Sequence, residues 1–424
     1  MPDHDPKPSS GADAGPSKGF ATRAIRAAHR VPRVDQRPTS VPIYQSVTFA
    51  SDDAGELGEV LNGTRPGFAY ARLDNPTSAA LAAAVAELEG AEAGFALATG
   101  MAAIHAAVTS LVSAGDRIVA TQASYGTTRA QFTNVLGRLG VVVDFVDVTD
   151  HAAVEAALAA APTRVLYAET IANPTIVVAD HAALAAIAHR HGAIYVVDNT
   201  FASPYLCRPI ELGADLVVES ATKYLSGHSD AMAGVVSGRR DLIEAVQDFQ
   251  VDTGGSLGPQ AAYLVIRGIS TLALRMERHS ATAGALAAWL ERQDGVSRVF
   301  HPSLASHPQR EVASRQLAAG GGMLAFELEG GRAAGRAFID ALTIPQLTAS
   351  LGSVFTMVVH PPSTTHRQLD DAALAAGGIT PGLLRCSVGL EDLDDLVTDF
   401  ERGLAAARAA APSNPAPAEP AALA

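Results

Sequence analysis

Between residues 94 and 219 the chain repeats one pattern: a short run that is apolar throughout, then an alanine-rich stretch with helical spacing. Residues 94–98, 117–120, 141–146, 164–168, 194–198 and 216–219 read as strands, and residues 102–111, 152–160 and 181–191 as helices between them. Strands without polar alternation are buried on both faces, and helices between them provide crossovers. The pattern therefore predicts an α/β fold around a mostly parallel sheet. It changes after Pro259. Residues 260–290 read as one long helix, and residues 322–328 and 383–388 as strands of a smaller C-terminal α+β domain.

The flanks differ in composition. Residues 1–19 have the Pro, Asp, Ser and Gly content of a disordered leader, with no apolar segment of the secretory kind. Residues 20–74 hold several prolines and little regular pattern, as expected of an arm lying over a neighbouring subunit. Residues 75–272 are read as the large domain, 273–408 as the small domain, and 409–424 as a disordered Ala/Pro tail. A net charge of −13 argues against nucleic acid as a partner, and no apolar run is long enough to suggest a membrane span. Cys207 and Cys386 form no CxxC or metal-ligand spacing, so no metal site is expected and a reduced cytoplasm is the simplest setting.

Lys223 is the only lysine after Lys18, in a chain whose other basic groups are arginines. It follows the run 216–219 in Ser220-Ala221-Thr222-Lys223-Tyr224-Leu225-Ser226-Gly227-His228. An amine can lose its proton and form a Schiff base, which a guanidinium cannot. That points to pyridoxal 5'-phosphate (PLP), whose aldehyde a lysine holds. Asp198 ends another strand, so in a parallel sheet it emerges on the same edge as Lys223. It pairs with a pyridinium nitrogen or caps the next segment. Gly100 and Met101 open a strand-to-helix turn, either a phosphate seat or a plain turn. Ser220 and Thr222 flank the lysine as phosphate donors or loop caps. Tyr125 stacks on a flat ring or joins the core. Tyr70-Ala71-Arg72 is a phosphate clamp or a surface pair. Arg385 lies among apolar residues, on an edge strand or beside a buried carboxylate, which an amino-acid substrate would supply.

These segments together resemble the Cys/Met-metabolism family of PLP-dependent (trans-sulfuration) enzymes. The likeness runs from about Gly19 to Leu404. It includes Tyr70-Ala71-Arg72, Glu169-Thr170-Ile171-Ala172-Asn173-Pro174, Val197-Asp198-Asn199-Thr200, the Lys223 motif and Arg385-Cys386-Ser387-Val388-Gly389-Leu390-Glu391-Asp392. The resemblance implies the fold-type I, aminotransferase-like PLP-dependent transferase fold. It implies that Lys223 holds the cofactor and shuttles protons, and that Asp198 meets the ring nitrogen. Gly100, Met101, Ser220 and Thr222 would bind phosphate, with Tyr70 and Arg72 reaching the phosphate of the neighbouring subunit in a homotetramer. Tyr125 would stack on the ring and assist proton transfer, Tyr125 or Tyr70 would act as the acid for the departing γ-group, Asn173 would lie near the ring hydroxyl, and Arg385 with Ser350 would hold the substrate carboxylate. The implied reaction is γ-elimination from a γ-substituted L-homoserine-type amino acid, as in the methionine and cystathionine γ-lyases; γ-replacement, of the synthase or sulfhydrylase type, is the alternative. Thr127 and Phe355 stand where those lyases carry a cysteine and an acid, and Ser363-Thr364-Thr365-His366 is more like the sulfhydrylases. The resemblance therefore leaves the γ-substituent open.

Overall fold

The computed structural model describes residues 20–28, 37–364, 374 and 378–411. The expected leader, most of the expected tail and the pair Thr365-His366 lie outside the described residues. Met1–Val41 forms one unit and Pro42–Ala424 another. In the first, Phe20–Ala28 is a helix. The arm is thus more regular than its sequence suggests, since Ala54–Leu61, in the second unit, is helical too, capped by Asp53.

The second unit is built on two sheets. The larger holds β1 (Ala93–Leu97), β2 (Arg117–Thr121), β3 (Val142–Val146), β4 (Val165–Glu169), β5 (Ile194–Asp198), β6 (Leu216–Glu219) and β7 (Gly234–Gly238). Their order is β1-β7-β6-β5-β4-β2-β3. Adjacent strands from β3 to β6 are parallel, and β7 runs antiparallel to both β1 and β6. Both faces are covered. Val165, Tyr167, Val196 and Val218 pack with the helices Gly100–Thr109 and Arg240–Thr253. Leu166, Ala168, Val197 and Val217 pack with His151–Ala160 and His181–Arg190. Two-sided burial explains why the sequence runs are apolar throughout. The single reversed strand, β7, follows β6 with no helix between them, so the strand–helix alternation does not mark it in the sequence.

The smaller sheet is antiparallel: β8 (Val296–Phe300), β9 (Met323–Leu328), β10 (Met357–Val359) and β11 (Leu383–Ser387), in the order β10-β11-β9-β8. Arg385 is therefore on an interior strand, not an edge. No helix among the described residues is long and apolar enough to cross a membrane.

The expected long helix over 260–290 is broken. Pro259–Ile269 and Leu272–Leu290 are separate helices. At the break the buried Arg275 donates through Nη2 to Gly268 O (2.8 Å) and through Nη1 to Tyr224 O (2.7 Å). These carbonyls take the guanidinium hydrogen bonds, and the second belongs to the residue after Lys223. Apolar periodicity does not report such a polar clamp.

A turn from the smaller sheet also seats on the lysine loop. Gly352 N–H donates to Ser387 Oγ (2.8 Å), and Val354 N–H to Gly227 O (2.9 Å). Gly352 has φ +76°, and a Cβ there would lie 2.7 Å from Tyr224 N and 3.0 Å from Lys223 C. Both neighbours are backbone and cannot swing aside. Gly352→Ala should therefore lose roughly 2–4 kcal/mol of stability, read as a lower urea midpoint at unchanged slope.

Candidate active site

Three strand ends form the floor of the site. Glu169 and Asp198 are Cα partners in the β4–β5 ladder, and Glu219 ends β6 beside them. Burial raises all three carboxyls above their ordinary range. Asp198 accepts from Thr200 N–H (3.0 Å) and from the Tyr167 hydroxyl (3.4 Å), and it has no cation within ion-pair reach among the described residues. Those two hydrogen bonds favour its charged form, but burial outweighs them. A buried acid with donors and no cation is a seat for a cationic ligand atom.

Lys223 rises from the loop after β6. The loop is tightly folded: Lys223 N–H donates to Ser220 O (3.0 Å) and Gly227 N–H to Lys223 O (2.7 Å). The Thr222 hydroxyl exchanges hydrogen bonds with Ala233, donating to its carbonyl (3.2 Å) and accepting from its N–H (3.1 Å). This realises the loop-capping alternative for Thr222. Lys223 Nζ donates to Ser350 Oγ at 3.0 Å. Burial, and secondarily the charge of Arg385, push its amine down to about 8.

Arg385 completes the other wall. It is 4 % exposed. Nη1 donates to Asn173 Oδ1 (3.0 Å) and Nη2 to the Ser350 carbonyl (2.9 Å), while Nε has no partner. Burial pushes the group down to about 10. A buried guanidinium bonded only to neutral groups is short of an anion. Gly100 opens the helix Gly100–Thr109, whose cap Thr99 accepts from Ala102 N–H (2.9 Å). The first N–H groups, at Gly100 and Met101, precede the first intrahelical bond and are free for an anion. A Cβ on Gly100 would lie 2.6 Å from Ser220 Cβ, so only glycine lets this turn close against the lysine loop.

These groups line one cavity of about 250 Å³. Its wall contains Gly100, Met101, Tyr125, Asn173, Asp198, Ser220, Thr222, Lys223 and Arg385. Ser350 joins through its hydrogen bonds to Lys223 and Arg385. Tyr70, Arg72, Thr127 and Phe355 do not line it. Tyr70 is exposed, with the Arg72 guanidinium 5.8 Å from its ring centroid, and Arg72 donates to Val251 O. Thr127 is exposed on the helix after Tyr125, and Phe355 lies in the segment that hydrogen-bonds Gly227 and Leu390 through Val354. A roomier cavity, about 620 Å³, lies against Thr121, Arg298, Phe300 and Ile379, but its wall holds no lysine.

Glu169 also faces the cavity, and the sequence reading assigned it no role. It accepts from Tyr125 N–H (2.5 Å) and Asn173 N–H (3.2 Å), so one buried carboxyl orients both residues. Its position at a strand end, like Asp198, was the available signal. Ile104, Phe201, Met232 and Leu351 add an apolar wall.

The site thus offers a perturbed amine, a buried acid without a cation, a helix N-terminus and a guanidinium without an anion. Comparison with known proteins agrees with that donor set. L-methionine gamma-lyase of Pseudomonas putida is 46% identical over 391 residues, covering 92% of this chain and 98% of that protein. O-succinylhomoserine sulfhydrylase of Pseudomonas aeruginosa is 42% identical, covering 91% and 95%. The crystal structure of cystathionine gamma-lyase from Lactobacillus plantarum superposes with a TM-score of 0.82 at 38% identity, covering 87% and 94%. The model of the Cys/Met metabolism PLP-dependent enzyme family matches residues 21–405, and the chain belongs to that family.

Proposed function

We propose that the protein is a PLP-dependent γ-elimination lyase, converting a γ-substituted L-homoserine-type amino acid and water to an α-keto acid, ammonia and the γ-leaving group. The observation that carries this reading is the meeting of Lys223 and Arg385 on Ser350, one through its hydroxyl and one through its carbonyl. A carboxylate held by Arg385 places the attached Cα within reach of the Lys223 amine. The relatives named as methionine gamma-lyases support elimination. The relative named O-succinylhomoserine sulfhydrylase supports γ-replacement as a second reading.

The cavity fits PLP. Lys223 would hold the aldehyde, Asp198 the ring-nitrogen proton, and the N–H groups of Gly100 and Met101 with Ser220 the phosphate. Thr222 would serve mainly by fixing the lysine loop. Once bound, the cofactor provides an electron sink for bonds broken at the substrate's Cα and Cβ. The residues do the rest. Arg385 binds the carboxylate, and Asn173 keeps that guanidinium aimed. Nζ of Lys223, whose pKa lowered to about 8 makes the neutral amine far more available than in an ordinary lysine, takes a proton from Cα and then from Cβ. Tyr125, oriented by Glu169, would stack on the cofactor ring and would deliver a proton to the departing γ-group. Tyr70 and Arg72, outside this chain's own cavity, would serve the neighbouring subunit's phosphate in a homotetramer, with Thr127 and Phe355 shaping specificity in the assembled site. Cys207 and Cys386, both buried and unpaired, suit a reduced cytoplasm.

Three measurements test this. First, keto acid should appear from methionine, homocysteine or cystathionine with no added thiol. Product formed only when sulfide or a thiol accompanies an O-acylhomoserine would establish replacement instead. Lys223→Ala should lower turnover by at least ~10²-fold and abolish the visible absorbance of the bound cofactor, and Arg385→Ala should raise KM by on the order of 10²-fold. Second, attack on the aldehyde needs the neutral amine, which a depressed pKa makes available at lower pH. The rate of PLP uptake by cofactor-free protein should rise with pH to a midpoint near 8 rather than at the usual ~10.4. Third, Lys223→Ala and Arg72→Ala subunits, each inactive alone, should recover activity when mixed, because a hybrid contains one site with both residues intact. No recovery in hybrids shown to have formed would remove Arg72 from the neighbouring site.

A further inference from the structure

Behind Asp198 lies a second pair of acids that the reaction above does not use. Glu89 is the last residue of the helix Pro76–Glu89, and Glu219 the last of β6. They are 0% and 2% exposed, and their carboxyls are close enough to act on each other directly. Asn199 Nδ2 donates to Glu89 Oε1 (2.9 Å), but Glu89 Oε2 and Glu219 Oε1 have no partner. Two ionised carboxylates touching in the interior would combine mutual repulsion with full desolvation. The surrounding groups do not neutralise them. Arg208, the cation acting on Glu89, is half exposed and paired with Glu211 at 2.9 Å. Asp198 adds negative charge from β5, and the buried Cys207 thiol beside them carries none. Among the described residues no three His, Cys, Asp or Glu side chains are placed to hold a metal ion. A proton held between the two carboxyls turns one from an acceptor into a donor to the other and leaves the pair a single charge.

We propose that Glu89 and Glu219 share one proton, and that the single charge they retain makes them positioning residues for Asp198. The connection is short. Asn199 follows Asp198 in the chain. Its N–H donates to Val218 O (2.9 Å), its Nδ2 also donates to Cys207 O (2.9 Å), and its Oδ1 accepts from the Thr170 hydroxyl (2.7 Å). Glu219 precedes Ser220, whose N–H donates to Thr200 Oγ1 (2.8 Å), and Thr200 N–H in turn donates to Asp198. The pair therefore braces the β5–β6 edge on which Asp198 sits. It also sets a fixed negative charge under it, which opposes loss of a proton from any cation seated on Asp198. That last step rests on the assignment of Asp198 to the ring nitrogen; the shared proton does not.

The shared proton is countable without cofactor. Unfolded glutamates, at about 4.3, hold no proton at about pH 8, so unfolding must release the one the folded pair keeps. Calorimetric unfolding of cofactor-free protein, in buffers of different ionisation enthalpy, should show wild type releasing one proton more than Glu219→Gln, whose amide donates to Glu89 instead. Glu89→Gln gives the same expectation and serves if the first variant does not fold. Equal counts overturn the pair. The charge is then tested in the holoenzyme, by the pH midpoint of its visible absorbance. Glu219→Gln keeps one negative charge and should keep the midpoint. Glu89→Gln with Glu219→Gln removes that charge and should lower the midpoint by about half a pH unit or more. An unmoved midpoint in the double variant overturns the positioning role, while the proton count stands separately. Asp198→Asn checks the assignment beneath it: an unaltered midpoint there would fail that assignment and not the pair.

Discussion

The parallel register of β4, β5 and β6 is the constraint from which the site follows. It places Glu169, Asp198 and Glu219 at neighbouring strand ends, where helices cover both faces and water is scarce. Acids gathered there must find donors, cations or protons. Each finds a different one. Glu169 takes the N–H groups of Tyr125 and Asn173, Asp198 takes Thr200 and Tyr167 and faces the cavity, and Glu219 meets Glu89. The same register brings the β6 end under Lys223, so amine and acids occupy one edge.

Opposite this acidic floor stand two cations with lowered proton affinity. Ser350 bonds to both Lys223 and Arg385; burial lowers both groups, and the charge of Arg385 lowers Lys223 further. Neither has a carboxylate partner among the described residues. The site is strained electrostatically on both sides, short of a cation on its acidic side and of an anion on the other. Its chemistry and its affinity share that cause.

Much of this was legible in the sequence. The inner strands of the large sheet announced themselves because two-sided burial leaves little polar interruption, the edge strand β3 was read from its apolar residues despite Asp144 and its exposure, and Lys223 announced itself by being an amine among guanidiniums. Asp198 was legible because it interrupts an apolar strand at its end. Glu169 and Glu219 carry the same signal, yet a strand-final glutamate reads equally well as the exposed start of a loop. β7 was invisible because it follows β6 with no crossover helix and is bounded by glycines, so it breaks the strand–helix pattern. The break at Ser270 was invisible because Arg275 makes it with backbone carbonyls supplied by another segment. Thr127 and Phe355 were named from the resemblance alone, Tyr70 and Arg72 were read first as a phosphate clamp or a surface pair, and none of the four lines the cavity formed by a single chain.

Ser350 has a mechanical meaning as well. Its turn hangs from β11 through Gly352 and Ser387, and rests on the lysine loop through Val354 and Gly227. Any tilt of the smaller sheet therefore drags Arg385 and the Lys223 contact along one coordinate. The fold works here as a lever whose long arm is the sheet that carries Arg385 and whose short arm ends at the amine. Grip and aim cannot be adjusted separately.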